Sequence, residues 1–140
     1  MNGVELISVL VCEDVLANPS GRLTLYNLFH DLTADSFPAT LPRLHVVTTW
    51  YNPQEDGSQA LIRVVILAPD ETLVGDATAT VSVGPDACYH TQVSRFRDLV
   101  LPGPGTYRVQ VARESRIVSD LPLVVLGPGP GGAQAETRGD

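Results

Sequence analysis

Alternation with period two runs through most of the chain and leaves little room for anything but stacked β-sheets. In "DATATVSV", residues 76–83, Ala77, Ala79, Val81 and Val83 take one face while Asp76, Thr78, Thr80 and Ser82 take the other. Successive side chains of a strand point to opposite faces, so this pattern buries one side and wets the other. The same reading sets Leu23, Leu25 and Phe29 of "GRLTLYNLFHDL" against Arg22, Thr24, Tyr26 and His30. In "LPRLHVVTTWYN", Leu44, Val46 and Trp50 oppose His45, Val47 and Tyr51, and in "QALIRVVILAP" Ile62, Val64 and Ile66 oppose Arg63. Val4 to Val11 is too continuously apolar for a half-exposed strand and is expected to be central or buried on both faces. No segment carries a convincing helical period.

The punctuation agrees. "ANPSG" (17–21) and "NPQEDG" (52–57) are turn chemistry, and "APDET" (68–72) is short enough for a hairpin. "TADSFPATLP" is longer, carries two prolines, and is expected to cross from one sheet to the other. Towards the end, Tyr107, Val109 and Val111 share a face, the chain turns at Arg113–Arg116, and Ile117, Leu121, Leu123 and Val125 share a face on the way back. Pro122 marks an edge strand or a bulge, because it cannot donate to a central ladder. "LPGPGTY" resembles a tyrosine corner, in which a phenol hydroxyl bonds upstream backbone. No cysteine follows Tyr107 by two residues, however, and an ordinary closing hairpin is the preferred reading. The pattern predicts one antiparallel β-sandwich of about seven to eight strands over residues 1–126, immunoglobulin-like or C2-like. The tail "GPGPGGAQAETRGD" (127–140) is expected to be flexible, since it cannot bury enough apolar surface to offset its ordering entropy.

Composition narrows the function more than it defines it. The 140 residues fit one domain, and 44% hydrophobic with 18% charged residues is ordinary for a globular protein. Net charge is −7 and every basic residue is arginine. That balance argues against nucleic acid, whose phosphates demand clustered cations, and against anionic membranes. "MNGVELISVLVCEDV" lacks the basic start and the cleavage site of a secretion signal, so a cytoplasmic setting is expected. Cys12 and Cys88 are then expected to stay reduced.

Catalytic constellations are thin. His30, His45 and His90 lie far apart with no metal-binding spacing. A metal site from His30, Asp31 and His90, or a Ca²⁺ site from Asp14, Asp31 and Asp35, is conceivable, but solvated surface groups are the preferred reading. Cys12 beside Glu13 and Asp14 is a poor nucleophile, because acidic neighbours raise a thiol pKa. The serines form no nucleophile elbow, and "GPGPGG" lacks the lysine of a phosphate loop. Trp50 and Tyr51 are the one candidate sugar platform, but strand neighbours point to opposite faces, which puts Trp50 in the core and Tyr51 on the rim. No catalytic residue and no cofactor are assigned.

Taken together, "LVCEDV", "GRLTLYNLFHDL" and "FPATLPRLHVVTTW" resemble a family of uncharacterised bacterial proteins that carries only a domain-of-unknown-function label. The resemblance spans about residues 4 to 126 and implies a small β-sandwich with no known activity. The leading expectation is a non-enzymatic cytoplasmic module for protein interaction or assembly. The alternative is a metal-binding (Ca or Zn) or carbohydrate-recognising domain. The candidate surface is the final hairpin, where Arg108, Gln110, Arg113 and Arg116 would form a positive patch beside Val124 on an open edge. Pro122 and the arginines could protect that edge, and protection is preferred over peptide addition. A homodimer through the edge is favoured over both, because the apolar run Leu121–Leu126 is long for a free strand.

Overall fold

The computed structural model describes residues 3–53, 57–85 and 88–128. Nine strands follow one another: β1 (Glu5–Ala17), β2 (Leu23–Leu28), β3 (Asp31–Thr33), β4 (Ala39–Tyr51), β5 (Ser58–Leu67), β6 (Leu73–Val83), β7 (Tyr89–Leu101), β8 (Gly105–Arg113) and β9 (Arg116–Leu126). They form two sheets, ordered β2-β1-β4-β7 and β3-β9-β8-β5-β6. Neighbours β1-β4-β7 stand as A-B-E, and β9-β8-β5-β6 as G-F-C-C′, of an immunoglobulin-like sandwich. The sheet is not wholly antiparallel as expected: β3 runs parallel to β9, pairing Asp31 with Val124 and Thr33 with Leu126.

Two departures explain the strand count. The second alternating run is two strands, because Asn27 takes φ 56° and turns the chain. Leu23 and Leu25 therefore pack on the outside of the first sheet while Phe29 packs against the main core, although the alternation put all three together. The long strand β7 is absent from the sequence reading. Asp98, at φ 54°, resets its alternation, so its core residues Phe96 and Leu99 are three apart instead of two. The expected crossing does occur, since β3 belongs to one sheet and β4 to the other. The 68–72 turn closes the β5–β6 hairpin through bonds between Ala68 and Thr72 (2.8 Å) and between Glu71 and Ala68 (2.8 Å). Part of the 52–57 turn, at 54–56, and the tail beyond 128 lie outside the described residues.

The core fills the space between the sheets. Leu44, Val46, Ile62, Val64, Ile66, Val81, Val83, Val109, Val111, Leu123 and Val125 are all buried there, as the alternation requires. Trp50 is fully buried among them, and its indole Nε1–H donates to Thr48 Oγ1 at 2.9 Å. Tyr107 is equally buried at the start of β8, and its hydroxyl donates to the carbonyl of Gly103 at 2.7 Å. The hydroxyl also accepts from the Gly103 N–H at 3.3 Å. This is the tyrosine corner of the sandwich, and it corrects the preference for a plain hairpin.

Strand β4 is buried on both faces over Leu44–Thr48. On the outer side, Val47 joins Cys12 and Val15 in a second cluster flanked by Leu23, Leu25 and Val93. Strand β1 separates β2 from β4 in the sheet, so the leucines of β2 reach Val47 only because the β1–β2 hairpin curls over that face. That covering is why His45 and Val47, expected opposite the core, are also buried.

Candidate functional site

The two long sides of the sandwich differ. One is closed where β6 meets β7, with Gly75 so close to Phe96 that a Cβ there would stand 3.0 Å from the ring. The other is where β9 runs beside β1 and the β2–β3 junction. Here the Val124 N–H donates to the His30 carbonyl at 3.3 Å, and β3 covers β9 only from Val124 to Leu126. The outer backbone of β9 before Val124 carries no strand among the described residues.

Backbone groups of alternate residues point to the same side of a strand. Since the Val124 N–H points outward to β3, the Asp120 N–H and the Asp120 and Pro122 carbonyls point outward too. Pro122 therefore removes a donor only from the open side and costs the β8–β9 ladder nothing, as expected of an edge proline. A bulge between Val111 and Ala112 shifts the register at the start of β9. It rotates Ile117 to the outer face, where it is 55% exposed, against its expected place with Leu121 and Leu123.

Beside this edge lies an apolar cleft of about 340 Å³ between the sheets, lined among others by Val9, Leu28, Phe29, His30, Leu121 and Pro122. Leu28 is half exposed at its mouth.

The structure corrects the proposed edge in two respects. Val124 is not on a free edge, because β3 pairs with it. The apolar run around it is already accounted for: Leu123 and Val125 are in the core and Leu121 packs against it. Nor do the arginines form a free positive patch. Arg108 is paired with Asp120, with contacts of 2.8 and 2.9 Å, and Gln110 donates to the same carboxylate at 3.3 Å. Arg113 donates to the Val4 carbonyl. Arg116 remains exposed at the turn.

The guanidinium of Arg108 holds the Asp120 carboxyl below its ordinary value, with a smaller contribution from Gln110. A carboxylate with a depressed folded pKa contributes stability above its unfolded value of about 3.9, and loses it as pH falls through the folded value. Asp120→Asn is therefore expected to flatten the acid side of the melting-temperature profile below about pH 4. The effect is small because the pair is solvated. Parallel acid limbs for the two proteins would contradict the assignment.

The metal candidates are not assembled. Among the described residues no group of three His, Cys, Asp or Glu could hold an ion. His30 and Asp31 sit at the β2–β3 junction, and Asp35 in the following loop. Asp14 accepts from its neighbour's Val15 N–H at 2.9 Å and meets Arg43 at 3.2 Å. His90 lies on β7 against Gln92. Cys12 is fully buried and Cys88 exposed, both unbridged. Burial raises the Cys12 pKa first, and the nearby Asp14 charge adds to it. No helix among the described residues is long and apolar enough to cross a membrane.

A profile for the family of unknown function DUF6941 matches residues 7–126. The chain belongs to this family. The matched span ends on the last residue of β9, so the DUF6941 region takes in the sandwich from within β1 onward, including the cleft and its edge. No curated protein matches the sequence. The alkylpurine DNA glycosylase AlkC of Pseudomonas fluorescens, solved with DNA containing an abasic site analogue, has a similar fold. It is 10% identical with a TM-score of 0.55, over 89% of this chain and 31% of that one. A β-glucosidase of Listeria innocua, in complex with gluconolactone, is 15% identical with a TM-score of 0.52, over 89% and 16%. At these identities the likeness is one of fold alone, and this chain spans less than a third of either neighbour.

Proposed function

We propose that this domain is a non-enzymatic protein-interaction module that takes an extended segment of a partner protein as an added strand on β9. The observation that carries this reading is the outward Asp120 N–H and the Asp120 and Pro122 carbonyls, which have no strand partner among the described residues, beside an apolar cleft. Strand addition draws affinity from such backbone groups and specificity from pockets that take alternate side chains. Strand β3 already joins β9 in this way over three residues. An incoming strand continues that position toward Arg116 and lays its apolar side chains against Val9, Leu28 and Phe29.

The balance differs from that expected of a protected edge because the charges meant to protect it are engaged elsewhere. Arg108 and Asp120 neutralise each other, and Arg113 turns to Val4. The strand-accepting reading is preferred to the sugar-binding alternative because Trp50 lies in the core, as expected, and leaves Tyr51 at the rim. A cytoplasmic setting is part of the same proposal, where an exposed thiol such as that of Cys88 persists in reduced form.

Peptides selected from a random display library on the wild-type domain test this reading. Asp120→Pro deletes the outward donor and leaves the β8 ladder intact, so it is expected to weaken a selected peptide at least about tenfold, or about 1.4 kcal/mol. Asp120→Asn removes the ion pair but keeps the N–H and is expected to retain binding. Leu28→Asp, at the exposed cleft mouth, should weaken binding comparably. Equal binding by all variants of intact far-ultraviolet circular dichroism would exclude this edge.

A further inference from the structure

The outer face of the β2-β1-β4-β7 sheet carries an arrangement that the strand-accepting edge does not use. Residues directly opposite each other on adjacent strands share a face. The register across β1, β4 and β7 therefore lays out rows on this face. The rows are Cys12–His45–Arg95, Leu10–Val47–Val93, Ser8–Thr49–Thr91 and Glu5–Tyr51–Tyr89, with Arg43 opposite Arg97 beyond the first.

The two ends of these rows are chemically opposite. At one end Arg95 and Arg97 are exposed, and among the described residues no carboxylate pairs with them. Arg43 beside them is held by Glu13 and Asp14, at 3.7 and 3.2 Å. At the other end Tyr89, 57% exposed, leans on Tyr51 with ring centroids 4.9 Å apart, and the exposed Glu5 stands opposite Tyr51. Toward the tyrosine end lies an open trough of about 600 Å³ lined by Leu10, Val93, Thr91 and Tyr89, with Arg22, Leu23 and Leu25 of the curled hairpin on its wall. Leu10 is 40% exposed there, and Ile7, at the β1 bulge, 52%.

We propose that this face is a self-association surface, on which a second copy of the chain packs about a two-fold axis lying across the strands. Such an axis reverses the rows, so each copy's arginine end meets the other's tyrosine and glutamate end. Guanidinium groups stack on tyrosine faces and pair with carboxylates. Between these contacts the exposed Leu10 of each copy meets its image, while Cys12, His45 and Val47 stay buried beneath the hairpin. The occupant is a second copy because both complementary halves lie on the same face of the same chain. With a net charge of −7, two copies repel each other on the whole, and Arg95 and Arg97, without a carboxylate partner among the described residues, give this face cations that the second copy's Glu5 can meet.

Sedimentation velocity or light scattering on the whole chain at tens of micromolar decides it. The wild type is expected to run as a dimer, and Arg95→Glu/Arg97→Glu to raise the dimer dissociation constant at least about tenfold. Adding Glu5→Arg to that variant should restore much of the dimer, because the reversed end then meets a cation at the other copy's position 5. All three positions are exposed, so folding is expected to be unaffected. A monomeric wild type, a dimer indifferent to the arginine reversal, or a failure of Glu5→Arg to rescue would each overturn the proposal. So would loss of the dimer in Asp120→Pro, which would move the contact to the β9 edge. The peptide test at that edge stands or falls separately.

Discussion

Trp50→Ala is expected to cost about 3–5 kcal/mol of folding stability, the range for truncating a large aromatic in a packed core. The indole is fully buried near the C-terminal end of β4, between Leu6 of β1 and His90 of β7 in the sheet register. It also fixes the Thr48 hydroxyl, which in turn lies 3.4 Å from the Gln92 carbonyl on β7. Removing the ring thus opens a cavity and leaves a buried hydroxyl short of one partner. Against a total of about 5–15 kcal/mol, that leaves a marginal fold. Trp50 is the only tryptophan, so urea unfolding of the variant must be followed by circular dichroism rather than by emission. A loss below about 1 kcal/mol is what surface positions give, and would place the ring outside the core.

The second large effect is at the sheet-to-sheet corner. Tyr107→Phe keeps the ring in place and removes only the hydroxyl, which both donates to and accepts from the Gly103 backbone. Gly103 is half-buried, so losing these bonds costs about 0.5–1.5 kcal/mol, the net worth of an ordinary hydrogen bond. Burial raises the Tyr107 pKa above its ordinary value, an effect larger than the opposing Gly103 bond. A phenol with a raised folded pKa contributes its stability below the unfolded value near 10 and loses it as pH climbs through the folded one. Wild-type stability should therefore fall on the alkaline side more steeply than that of Tyr107→Phe. Denaturant midpoints at neutral and alkaline pH measure both effects, and a phenylalanine variant equal to wild type throughout would remove the corner from the account.

What the sequence made legible follows from where period two survives. Strands β5 and β8, and β6 from Asp76 onward, alternate without interruption, and their inward residues are the ones the alternation names. Legibility fails where a single backbone residue resets the count. Asn27 splits one run into β2 and β3, Asp98 disguises β7, and the bulge before Ser119 exposes Ile117, and no residue type announces these left-handed or bulged positions. The tyrosine corner was readable from "LPGPGTY" but was set aside for want of a disulfide, a feature this core of packed aliphatic side chains around Trp50 does without.

The candidate site was legible only as an edge. Pro122 in a closing strand pointed to one, and it lies on one. That Val124 would be covered by β3, and that Arg108 would find Asp120, depends on a pairing across some ninety residues and on which strand face each side chain takes. The first is not written in local pattern; the second was within reach, since alternation puts Arg108 and Asp120 on the polar face of the same hairpin. The apolar cleft is assembled from β1, the β2–β3 junction and β9, so no single stretch could have announced it.

The most direct test of the strand-accepting edge is residue-resolved amide hydrogen exchange on the domain with and without a selected peptide. In the free protein the Val124 amide, bonded to the His30 carbonyl, should exchange slowly and the outward Asp120 amide fast. On peptide binding the Asp120 amide should slow by at least about tenfold, as expected when a new ladder forms over it. A bound peptide that leaves Asp120 exchanging freely while protecting amides elsewhere would contradict strand addition at β9.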